Sequence, residues 1–146
     1  MAYYNKGDYA KAIEEGTKAM EIAPEAGMTN TPEFGYLLPY YLGLSLTRTA
    51  RAKEAEPMLR KALDWHTGNA TPNVAGIAAS KGALGECLTA QARYSEAEPF
   101  LLESYENLKT SPGADNPGTK LALRRLVTLY ENWKKPHRAA EYRSRL

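Results

Sequence analysis

Apolar residues return along this chain at helical spacing after each of four alanines, the stripe of an amphipathic helix. After Ala55 the stripe is Met58, Leu59, Ala62 and Leu63; after Ala97 it is Phe100, Leu101, Ser104, Tyr105 and Leu108. The four alanines, Ala12, Ala55, Ala97 and Ala139, stand 43, 42 and 42 residues apart, and their neighbours fall in one register. Repetition at such a period is the signature of a solenoid, in which each unit buries its apolar face against the next. The stripes predict helices over about 8–23, 53–66, 94–109 and 136–146. Pro57 and Pro99 fall early in two of them, where a missing N–H costs least.

A second helix is predicted before each of these. Thr31-Pro32, Thr71-Pro72 and Asn116-Pro117 each offer a capping side chain followed by a proline at the first helical position. Advancing by 42 residues aligns the inward rows Leu38, Ser80, Ala122; Leu42, Leu84, Leu126; Ser45, Cys87, Leu129; and Leu46, Leu88, Tyr130. Gly43 and Gly85 share one position, where a partner helix needs close approach, and Pro39 is expected to kink its helix. The breakers gather between pairs, at Ala23-Pro24-Glu25-Ala26-Gly27, Thr67-Gly68-Asn69 and residues 111–118. Nothing reads as a strand. The expected fold is all-α, an alpha-alpha superhelix of stacked antiparallel helix pairs in a single domain over 1–146. It divides into a partial repeat at 1–27, repeats at about 31–68 and 71–110, and a partial repeat at 115–146.

Composition changes this picture little. The chain is 43% hydrophobic and 25% charged, with net charge +2, which fits a globular protein and does not favour a polyanionic partner. Cys87 is the only cysteine, so no internal disulfide forms. The first residues lack the apolar core of a secretory signal and no apolar run is long enough to span a bilayer, so a cytoplasmic location is expected. The sequon Asn69-Ala70-Thr71 is accordingly taken as chance.

Enzyme signals are poor. His66 and His137, the only histidines, belong to different repeats and are expected on helix surfaces, without metal-ligand spacing. Glu54/Glu56 and Glu96/Glu98 lie two apart and face different ways, which suggests solvated charges. Cys87 reads as a small core residue. Neither a cofactor nor a catalytic residue is expected.

Tyr3-Tyr4-Asn5-Lys6-Gly7-Asp8-Tyr9-Ala10-Lys11-Ala12, with Ala19 to Pro24 and the pairs Leu42-Gly43 and Leu84-Gly85, resembles tetratricopeptide repeats. The long period resembles the variety found in kinesin light chains and bacterial signalling proteins. Gly16 stands where that family places an aromatic, which implies a loosely packed first pair, and both ends look cut through a repeat.

The resemblance implies a non-catalytic adaptor or scaffold. Its first helices would line a concave groove for a protein or peptide, with no role for nucleic acid or membrane. The alternative is an oligomerisation or regulatory segment of a larger bacterial signalling protein. Carried over by register, the groove takes Leu37, Tyr40, Leu44, Thr47 and Arg48 from one helix. The next supplies Ala79, Gly82, Glu86, Thr89 and Ala90, and the last Leu121, Arg124, Thr128, Glu131 and Asn132. Tyr40 as a wall, Gly82 as an open floor and Arg124 as a cation suggest a ligand with a bulky apolar side chain near a carboxylate. Against this stands the reading that Ala79 and Gly82 only let helices pack tightly. The asparagine and lysine pattern of chaperone-tail receptors is absent from the two complete inner helices. Arg125 falls on a packing face and is expected to snorkel at the open end, or else to pair with Glu131 or Glu141. Tyr3, Tyr4 and Tyr40, if exposed, would mark a surface for self-association at the amino-terminal edge.

Overall fold

The computed structural model describes residues 2–28, 30–68, 73–110 and 113–146. The Thr71-Pro72 cap, the sequon at Asn69-Ala70-Thr71 and the Ser111-Pro112 part of the last linker lie outside the described residues. Among the described residues eight α-helices follow one another: α1 (Ala2–Asn5), α2 (Tyr9–Ile22), α3 (Leu38–Arg48), α4 (Ala52–Thr67), α5 (Val74–Ala90), α6 (Tyr94–Thr110), α7 (Pro117–Asn132) and α8 (Pro136–Arg143). No strand occurs among the described residues. Each helix packs on the next in the chain, and α5 also touches α3 and α7. The first helices of successive pairs therefore lie side by side.

The helix starts follow from their caps. Asp8, Asn73 and Asn116 each accept a backbone N–H of the first turn, from Lys11, Gly76 and Gly118. Asn116-Pro117 thus acts as expected, whereas the Thr31 hydroxyl donates backward to Met28 O and caps nothing ahead of it. Pro39 interrupts its helix by a different geometry from a simple kink. A π turn over Glu33–Leu37 precedes α3, closed by Leu38 N–H to Glu33 O. Proline at 39 has no N–H for the carbonyl of Gly35, and the widened turn accommodates that loss. The last helix stops at Arg143, three residues before the predicted end.

The turn inside each pair repeats one backbone device. Gly7, Ala50, Ala92 and Lys134 all take positive φ, at 77°, 60°, 57° and 61°. Around Ala92 the amide of Arg93 reaches Leu88 O at 3.0 Å and that of Ala92 reaches Thr89 O at 3.0 Å, the two bonds of a Schellman cap. The left-handed conformation costs an L-residue about 1–2 kcal/mol. Ala92→Gly relieves that cost and gives back part of it as unfolded-state entropy, so it should stabilise the protein by about 0.5–1 kcal/mol. Thermal unfolding checks this; a lower melting temperature would contradict the turn geometry.

The inward rows are buried as the register requires, with Leu38, the outermost member, only half-buried. Leu84, Cys87, Leu88, Leu126, Leu129 and Tyr130 are fully enclosed. Gly43 and Gly85 meet the expected close approach: a Cβ on them would stand 2.6 Å from Leu59 and 2.5 Å from Leu101. Leu59 and Leu101 are themselves one period apart, so the same glycine-into-leucine contact seats α3 on α4 and α5 on α6. The first pair packs more thinly. Gly16 is the only buried residue within α2, with Leu38 and Leu42 at van der Waals distance from where its Cβ would be.

Three expectations about single residues are corrected. His66 is buried, not on the surface: it lies against the Tyr36 ring at 4.3 Å and over Gly76, and burial pushes its pKa down. Glu56 is not a solvated charge; it accepts from Arg60, from Gln91 Nε2 at 3.0 Å and from Arg93 at 2.6 Å. Glu98, one period on, likewise accepts the Tyr130 hydroxyl at 2.7 Å and Arg138 at 2.5 Å. Both carboxylates tie a second helix to the residues around the following turn, a role that spacing within one helix does not reveal.

Candidate functional site

Because α3, α5 and α7 stand side by side, their outward faces share one surface. A hollow of about 450 Å³ opens there. Thr47 and Arg48 of α3 line it, with Glu86, Thr89 and Ala90 of α5 and Leu121, Arg124, Arg125, Thr128 and Asn132 of α7. Its size falls within the range of small-ligand and peptide side-chain sites. The structure thus gathers nine of the groove residues derived from the register: Thr47, Arg48, Glu86, Thr89, Ala90, Leu121, Arg124, Thr128 and Asn132.

The others go elsewhere. Leu44 is buried in the core, at 2% exposure. Leu37 lines a separate, smaller hollow with Phe34, Leu38 and Tyr41. Glu131 pairs with Arg143 and faces the end of the stack beside Pro136. Tyr40 is half-buried, edge-on to Tyr41, and burial pushes its phenol up. Gly82 is buried and forms no open floor. A Cβ there would stand 2.7 Å from Arg125 Nη1 and 2.8 Å from Ser104 Oγ, so Gly82 makes the recess that houses the Arg125 guanidinium. The tight-packing reading of Gly82 is the correct one.

Arg125 departs from its expected place as well. It neither snorkels nor pairs with Glu131 or Glu141. Its side chain is 8% exposed and its Nε donates to Glu86 Oε2 at 2.7 Å. Arg48 Nε donates to the other oxygen of the same carboxylate at 2.8 Å. One glutamate on the middle helix therefore holds an arginine from each flanking helix. Burial alone would raise the pKa of Glu86, but the charges and hydrogen bonds of Arg125 and Arg48 outweigh it and hold the carboxyl below the ordinary glutamate value. A signal was available: Arg48 precedes Glu86 by 38 residues and Arg125 follows it by 39, each one period less about a helical turn.

The chemistry left open to a ligand is narrow. The hydroxyls of Thr47, Thr89 and Thr128 donate to carbonyls one turn back in their own helices, at 2.9, 2.8 and 3.0 Å. They show the hollow their methyl groups and lone pairs. Among the described residues, no hydrogen bond or ion pair engages the guanidinium of Arg124, which is exposed. Free donors beside apolar Leu121 and Ala90 suit an acceptor or anion carried next to an apolar group.

Elsewhere the chemistry is structural. The Cys87 thiol is buried, bonded to Ala52 O at 3.1 Å, and burial pushes its pKa up. Among the described residues no three His, Cys, Asp or Glu side chains gather where they could hold a metal ion. No helix among them is long and apolar enough to cross a membrane. The exposed aromatic cluster expected at the amino-terminal edge reduces to Tyr3, since Tyr4 packs on Tyr9 and Tyr41 at 5.6 and 5.2 Å.

Two family models, both described as tetratricopeptide repeat, match the chain, one over residues 37–110 and the other over residues 1–25. A search of curated proteins found no match.

Proposed function

The chain belongs to the tetratricopeptide repeat family, whose members are in general protein-binding and typically non-catalytic, and from that premise we propose that the hollow across α3, α5 and α7 is a peptide-binding groove. Its ligand carries a carboxylate beside a bulky apolar side chain. The observation that carries the reading is the unengaged guanidinium of Arg124 next to Leu121 in a hollow built from three successive first helices. The apolar side chain lies against Leu121, Ala90 and the threonine methyls, and the carboxylate meets Arg124 and Asn132.

Peptides selected from a random display library against the protein provide the test. They should share one acidic group next to a large apolar residue. Arg124→Ala should then weaken their binding about fivefold (~1 kcal/mol) at low salt and much less at high salt, as expected of an exposed ion pair. Equal affinity of the variant and the parent at low salt would refute the reading.

A further inference from the structure

We infer that Glu86 sets the register of ligands in this groove, by occupying an anion seat between Arg48 and Arg125 and confining a ligand's acidic group to Arg124. The inference rests on the groove reading and adds a residue that decides which acidic ligands fit.

The seat is built. Arg48 and Arg125 approach from opposite sides and each gives its Nε to one oxygen of the Glu86 carboxylate, at 2.8 and 2.7 Å. Both oxygens are thereby taken, and Glu86, at 20% side-chain exposure, lies at the wall of the hollow. A ligand carboxylate arriving at the middle of the groove meets a carboxylate already in place, and like charges at that range repel. At the α7 end, Arg124 has no such occupant. The ligand's acid is thus offset toward α7, and its apolar neighbour falls over Ala90 and Leu121.

The seat also persists when its occupant is removed. Arg48 is 37% exposed and can turn to water, but Arg125 cannot. Its guanidinium is set in the recess over Gly82, beside Ser104, with Tyr40 packed near it. A buried cation deprived of its carboxylate requires another anion. Replacing Glu86 by the isosteric, neutral glutamine therefore opens a second anion site at the centre of the groove. Two guanidiniums there match the geometry of an oxyanion with several acceptor oxygens.

Inorganic sulfate, compared with chloride at equal ionic strength, is the probe, because it needs no knowledge of the natural ligand. In the parent protein, sulfate should shift the side-chain Nε–Hε NMR signal of Arg124 and leave those of Arg48 and Arg125 in place. In Glu86→Gln, sulfate should shift Arg48 and Arg125, bind at least tenfold more tightly than to the parent, and raise the melting temperature by about 4 °C at roughly ten times its Kd. Two results would overturn the inference: sulfate moving Arg48 and Arg125 in the parent as much as Arg124, or a folded Glu86→Gln that gains no sulfate site. Should the variant not fold, the measurement on the parent decides alone. Loss of Arg124-dependent peptide binding with the sulfate results intact would defeat the groove reading and leave the seat standing.

Discussion

Leu101→Ala is expected to destabilise the protein by about 3–4 kcal/mol. Leu101 is fully enclosed, and α6 rests through it on the bare backbone of Gly85. Truncation removes transfer free energy and leaves a cavity. Gly85 has no side chain that could shift into the space, so the cavity term persists in full. Urea denaturation measures the effect as a lower midpoint at constant slope. Leu59→Ala should behave alike, since Leu59 is equally enclosed and sits on Gly43 in the same way. Leu102→Ala, at a half-buried neighbour, should cost clearly less. A loss below about 1 kcal/mol for Leu101→Ala would mean that the helices close over the gap and that the glycine contact is not tight.

Glu86→Ala is expected to cost about 2 kcal/mol at neutral pH, less than a fully buried pair because Arg48 and Glu86 keep some contact with water. The cost comes chiefly from Arg125, which stays enclosed without a counter-charge. The pH dependence has a definite sign. Glu86 has a folded-state pKa below its unfolded value, so its contribution is complete above the ordinary glutamate value of about 4.3 and is lost as pH falls through the folded value. The gap in stability between parent and variant should therefore be full at pH 7 and narrow below about pH 4. Denaturation midpoints at both pH values check this. A gap that widens on acidification would show that the carboxylate is not held by the two arginines.

Much of the molecule was legible because a solenoid repeats its solutions. One stripe located the second helices, one register located the inward rows, and the paired glycines marked where partner helices come closest. The family resemblance, carried along by register, also picked out most of the residues that line the hollow across α3, α5 and α7. Register failed for Leu44, which is buried in the core, and for Glu131, which pairs with Arg143 at the end of the stack. It failed as well where a residue acts across repeats, as Glu56, Glu98 and Arg125 do.

The sequence by itself determined that the chain is all-helical, where its helices run and which faces they bury. These follow from local periodicity and from a repeat that places equivalent residues in equivalent surroundings. Only the tertiary structure decided that Gly82 is a recess and not a floor, that Arg125 fills it, and that Glu86 binds an arginine on either side. Those outcomes depend on distances between side chains some 40 residues apart, which packing sets and no single stretch of sequence encodes. The same packing left Arg124, among the described residues, as the guanidinium in the hollow without an engaged partner, on which the proposed groove rests.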